Sequence, residues 1–102
     1  MPNLRVLIVD DEKPQRDLVG NALKKQGYTV TDAGSADEAL AAVKDTFPEI
    51  ALLDIQMPGK SGLELLAELK KINPDLQAIM VSAHADFDKG LEAMKKGALD
   101  FL

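Results

Sequence analysis

Ile50-Ala51-Leu52-Leu53-Asp54-Ile55-Gln56-Met57-Pro58-Gly59 decides how this chain folds. Four apolar residues in a row, without polar alternation, describe a strand buried on both faces, as parallel sheets require. The run ends on a single acid, and a Pro-Gly pair turns the chain soon afterwards. An acid at the carboxyl end of a buried strand stands where open α/β sheets hold their ligands. Taken alone, Asp54 reads first as a loop aspartate capping the next helix. It is not alone, because Leu4 to Val9 is a second apolar strand that also runs into acids, Asp10 and Asp11.

Outward from these two strands the chain alternates. Pro14 fits a first helical turn, Leu18, Val19, Ala22 and Leu23 follow as an apolar helix face, and Gly27 is placed to end the helix. Tyr28 to Thr31 reads as a short strand. Ser35 with Glu38 forms a capping box ahead of Ala39, Leu40, Ala42 and Val43, and Pro48 breaks the chain before the strand at 50–54. Ser61 with Glu64 is a second box, opening a helix through Leu63, Leu65, Leu66 and Leu69 that stops before Asn73-Pro74. Gln77 to Ser82 is a fourth strand. Asp86 caps a fourth helix through Leu91 and Met94 that Gly97 stops, and a fifth strand begins at Leu99. Strands alternating with helices over short loops imply a parallel sheet covered on both faces. Right-handed crossovers place every carboxyl end on one edge, so Asp10, Asp11, Asp54 and Ser82 should converge.

Composition narrows the chemistry. At 102 residues the chain is one domain, and 46% hydrophobic with 28% charged residues is the balance of an ordinary globular protein. Seventeen acids against twelve bases leave a net charge of -5, which argues against a general nucleic-acid surface. The absence of cysteine excludes disulfides and thiolate metal sites, and one histidine excludes a multi-histidine centre. No apolar run is long enough to span a bilayer, and no signal segment opens the chain, so a cytoplasmic location is the default.

Clustered carboxylates repel, by about 4 kcal/mol for two unit charges ~4 Å apart at an effective dielectric near 20. Such a group protonates in part or holds a hard cation. Two or three carboxylates suit Mg²⁺, with Mn²⁺ as a substitute, because Mg²⁺ keeps several waters and shares its shell with phosphate. An aspartate beside that ion can also attack phosphorus and become an aspartyl phosphate. Ser82, read alone as a turn serine, could then donate its hydroxyl to a phosphoryl oxygen.

Four ordered motifs carry a resemblance over the whole chain. They are Asp10-Asp11 after the first strand, Leu-Leu-Asp54-Ile-Gln-Met-Pro-Gly-Lys-Ser-Gly62, Val-Ser82-Ala, and Lys-Lys-Gly97-Ala-Leu-Asp-Phe101-Leu. Together they resemble the receiver domain of bacterial two-component response regulators, most of all receivers attached to enhancer-binding transcription activators. The resemblance implies a flavodoxin-like three-layer sandwich with a five-stranded parallel sheet of order 2-1-3-4-5. It implies Asp54 as phosphoacceptor, with Asp11, Asp54 and the Gln56 carbonyl ligating Mg²⁺ and Asp10 acting mainly through a metal-bound water. Ser82 would be the switch hydroxyl and Phe101 the switch aromatic. Gln56 and His84 would tune loss of the phosphoryl group to water, although His84 reads equally as a solvated loop residue. The implied partner is a sensor histidine kinase, and the implied role is a signalling switch rather than an enzyme.

Receivers of this kind continue past Phe-Leu with a lysine, a proline and a fifth helix. The expectation is therefore a receiver over residues 1–102 that lacks the fifth helix and any output domain. Its uncovered sheet face should promote self-association. Three other readings remain. A pseudo-receiver would use the fold for protein interaction without phosphorylation. A Mg²⁺-dependent phosphatase with an aspartyl nucleophile would carry a second Asp where this chain has Gln56. Flavin binding would need a phosphate-cradling loop after strand one, and that loop is acidic.

Overall fold

The computed structural model describes residues 4–54 and 59–81, and the backbone of Asp100 and Phe101. Its strands are β1 (Arg5–Val9), β2 (Thr29–Ala33), β3 (Ile50–Asp54), β4 (Gln77–Val81) and β5 (Asp100–Phe101). Its helices are α1 (Lys13–Lys25), α2 (Ala36–Thr46) and α3 (Gly62–Ile72). All strand pairs are parallel, in the order β2-β1-β3-β4-β5. The expected fourth helix, from Asp86 to Gly97, lies outside the described residues.

Alternation along the strands sorts side chains onto two faces. Leu7 and Val9 of β1, Ala51 and Leu53 of β3, and Ala78 and Met80 of β4 form one core with α2 and α3. From the helices, Ala39 and Val43 of α2 and Leu65, Leu66 and Leu69 of α3 enter that core, as their spacing requires. The other face carries Val6 and Ile8, with α1 over it at Gly20, where a Cβ would sit 3.7 Å from Ile8.

The helix ends follow the expected chemistry with one adjustment. Ser35 Oγ and Ser61 Oγ accept the amides of Glu38 and Glu64, each at 3.2 Å. The reciprocal half of each box differs. Glu38 Oε2 accepts the Gly34 amide at 2.7 Å, one residue ahead of the cap, and Glu64 Oε1 lies 3.5 Å from the Ser61 hydroxyl. Beyond α1, Gly27 takes φ +95, a conformation open to glycine at little cost.

Two sequence readings need correction. The second strand runs from Thr29 to Ala33 rather than from Tyr28 to Thr31; Asp32 and Ala33 stay in register with Ile8 and Val9, and Asp32 pairs with Arg16 at 3.1 Å. Of the apolar α1 face read from the sequence, Val19 and Leu23 are half-buried, but Leu18 and Ala22 are not turned inward. Leu18 is 70% exposed and Ala22 is exposed, while Gly20 is the buried residue. Gly20 packs on Ile8 and Val30, where a Cβ would stand at ordinary contact distance, 3.7 and 3.6 Å.

Candidate functional site

β1 and β3 are neighbours, and Val9 pairs with Leu53. One residue further along each strand, Asp10 and Asp54 face each other across the carboxyl edge of the sheet. Asp11 follows in the loop to α1. These three acids can each place a carboxylate oxygen within 4.8 Å of the others; Asp10 and Asp54 are half-buried and Asp11 is exposed. Sequence reasoning brought this trio together, and the geometry agrees.

Asp10 is held by its backbone and by one carboxylate oxygen. Its amide donates to the Ala33 carbonyl at 3.1 Å, and its Oδ1 accepts the Glu12 amide at 2.9 Å, starting the turn into α1. Its carbonyl accepts from Arg16 Nη1 at 2.7 Å. One carboxylate oxygen of Asp10 is thus committed to the fold and the second remains for a ligand. The donor set is all oxygen and strongly anionic, which fits a hard divalent cation and suits no soft metal.

Asp10 and Asp54 line a cleft of about 180 Å³ together with Ile8, Leu52 and Val81 of the sheet and Val19 of α1. A cleft of about 390 Å³ opens between the carboxyl ends of α2 and α3, lined by Val43, Phe47, Pro48, Leu69, Ile72 and Leu76 among others. It carries no carboxylate, so the chemistry belongs to the smaller cleft. Lys60, six residues beyond Asp54, is committed elsewhere. It donates to Glu68 Oε2 at 2.6 Å, and that hydrogen bond holds its ammonium pKa above the ordinary lysine value.

Gln56, Ser82 and His84 lie outside the described residues. Phe101 is described by its backbone alone, in register with Met80 at the edge of the sheet. Arg16 and Asp32, which tie the acid loop to the end of β2, were missed in the sequence. A basic residue one turn after the acids was their only signal.

The comparisons with known proteins agree with this geometry. The family described as the response regulator receiver domain matches residues 6–102. The DNA-binding transcriptional regulator NtrC of Salmonella typhimurium is 39% identical over 97 residues, which is 95% of this chain and 21% of that protein. The crystal structure of NtrX from Brucella abortus superimposes with a TM-score of 0.93 at 40% identity, covering 99% of this chain and 23% of that one. A response regulator protein from Burkholderia pseudomallei, solved with a phosphorylated aspartic acid, a calcium ion and citrate, has a TM-score of 0.93 at 28% identity. That match covers 98% of this chain and 59% of the other. The chain spans about a fifth of the length of the first curated relatives it matches, at 21 to 22%. With the sheet order, the acid trio and a match over nearly all its length, the chain belongs to the response regulator receiver domain family.

Proposed function

We propose that this chain is a phosphorylation-dependent switch that accepts a phosphoryl group onto Asp54 from the phosphohistidine of a sensor histidine kinase. The observation that carries the reading is the convergence of Asp10, Asp11 and Asp54 within 4.8 Å at the carboxyl edge of the sheet. The Burkholderia pseudomallei relative, with its phosphorylated aspartic acid and a hard cation, supports the same chemistry.

Asp54 would attack phosphorus in line; the bond from phosphorus to the histidine nitrogen breaks, and the imidazole leaves. Asp10, Asp11 and Asp54, with the Gln56 carbonyl, would hold Mg²⁺. When bound, the ion neutralises charge on the equatorial phosphoryl oxygens. Ser82 would take a phosphoryl oxygen and Phe101 would follow it, while Gln56 and His84 would set the lifetime of the adduct. Because the acceptor is consumed once per transfer, the chain acts as a stoichiometric switch rather than a turnover enzyme.

The wider reading rests on the relatives, several of which are transcriptional regulators. It places residues 1–102 as a receiver that governs a transcriptional output domain in the cytoplasm. No described helix is long and apolar enough to cross a membrane. The half-open face of the sheet is the surface through which this 102-residue chain would self-associate.

Metal binding tests the site directly. Mg²⁺ at about ten times its Kd should stabilise the folded chain by about 1.4 kcal/mol and raise the melting temperature. Asp11→Asn should remove most of that rise. A folded sample whose melting curve ignores millimolar Mg²⁺ would take the metal out of the mechanism.

A further inference from the structure

We propose that Arg16 is the positioning residue of the acid site, clamping the peptide that joins Asp10 to Asp11 so that both carboxylates face Asp54. The inference deepens the metal-site reading above and rests on it. β1 ends at Val9, so the Asp10 carbonyl has left the ladder and needs a partner of its own. Arg16 Nη1 supplies it at 2.7 Å. That carbonyl and the Asp11 amide belong to one planar peptide unit, so holding it orients both acids.

The guanidinium is itself fixed. Its Nε donates to Asp32 Oδ2 at 3.1 Å, and the Arg16 side chain is only 15% exposed although its partner Asp32 is 51% exposed. Beneath it lies backbone: a Cβ on Gly34 would stand 3.0 Å from Arg16 Nη1 and 2.9 Å from Glu38 Oε2. Glycine at 34 therefore leaves the slot that the guanidinium fills. The fork thus joins α1, the end of β1 and the end of β2. A lysine cannot reproduce it, because an ammonium is a point charge without two divergent in-plane N–H groups.

Positioning and simple electrostatics make opposite demands here. A cation close to the acids opposes a bound dication, so on charge alone removing Arg16 would tighten Mg²⁺ binding. If Arg16 positions the acids, removing it loosens binding, and Arg16→Lys, which keeps the charge, loosens it too.

The test titrates the 102-residue chain with Mg²⁺ by calorimetry, as wild type, Arg16→Lys and Arg16→Met. Amide hydrogen exchange at Asp11 and urea unfolding accompany each titration. Both variants should bind Mg²⁺ about 10- to 100-fold more weakly. Their Asp11 amide should exchange faster than global unfolding accounts for. Wild-type affinity in Arg16→Lys, or tighter binding in Arg16→Met, overturns the inference while leaving the metal site intact. Absence of Mg²⁺ binding in the wild type instead overturns the metal site, and the inference with it. Should the Arg16 variants not fold, Asp32→Ala frees the guanidinium without removing it. Weaker Mg²⁺ binding in that variant supports the clamp, and unchanged binding overturns it.

Discussion

The two faces of the sheet are built from alternate residues of the same strands and meet different surroundings. Leu7, Val9, Ala51, Leu53, Ala78 and Met80 lie under α2 and α3 with no more than 1% of their surface exposed. On the opposite face Val6 and Ile8 are buried, but Ile50, Leu52 and Ile79 are half-buried and Val81 is 40% exposed. The closed face is filled by leucines of α3 and small residues of α2, and it fixes the register that brings Asp10 opposite Asp54. Across the open face, the described helix is α1, which touches down through a glycine and leaves Leu18 in solvent. The acid cleft opens on that second face. One face is thus closed by helices, and the other lines the site.

The comparison breaks if the two faces respond alike to truncation. Leu53→Ala, on the closed face, should cost about 2–5 kcal/mol in urea unfolding. Leu52→Ala, its neighbour on the open face, should cost roughly 1–2 kcal/mol, since less of its surface leaves water on folding. Equal losses would mean that the open face is covered in solution. A smaller effect concerns association. Sedimentation at micromolar concentration should show the chain self-associating, and Val81→Lys should shift it toward monomer with little change in melting temperature. A single sedimentation profile for both proteins would show that this face takes no part in association.

Much of this was legible in the chain because it rests on local rules. Apolar runs ending in acids gave the strands and the edge where the acids meet, and Ser35 and Ser61 marked the helix starts. The α1 face was read only in part, because hydrophobic periodicity counts Leu18 and Ala22, which are exposed, and passes over Gly20, which is buried. The length of β2 was missed because Asp32 is a poor strand former, and its pairing with Ile8 across the sheet and with Arg16 is long-range. Arg16 left only a faint signal, a basic residue one turn after the acids, since its key acceptor is a backbone carbonyl. The roles given to Gln56, Ser82, His84 and Phe101 came from family resemblance rather than from periodicity or charge.

Asp54 is expected to be the phosphoacceptor of a Mg²⁺-dependent site. Intact mass measurement after incubation with acetyl phosphate and Mg²⁺ tests it most directly. A single phosphoryl adduct should form in the wild-type chain, vanish when the metal is chelated beforehand, and be absent from Asp54→Asn. An adduct that survives Asp54→Asn, or no adduct in a folded chain that binds Mg²⁺, would contradict it.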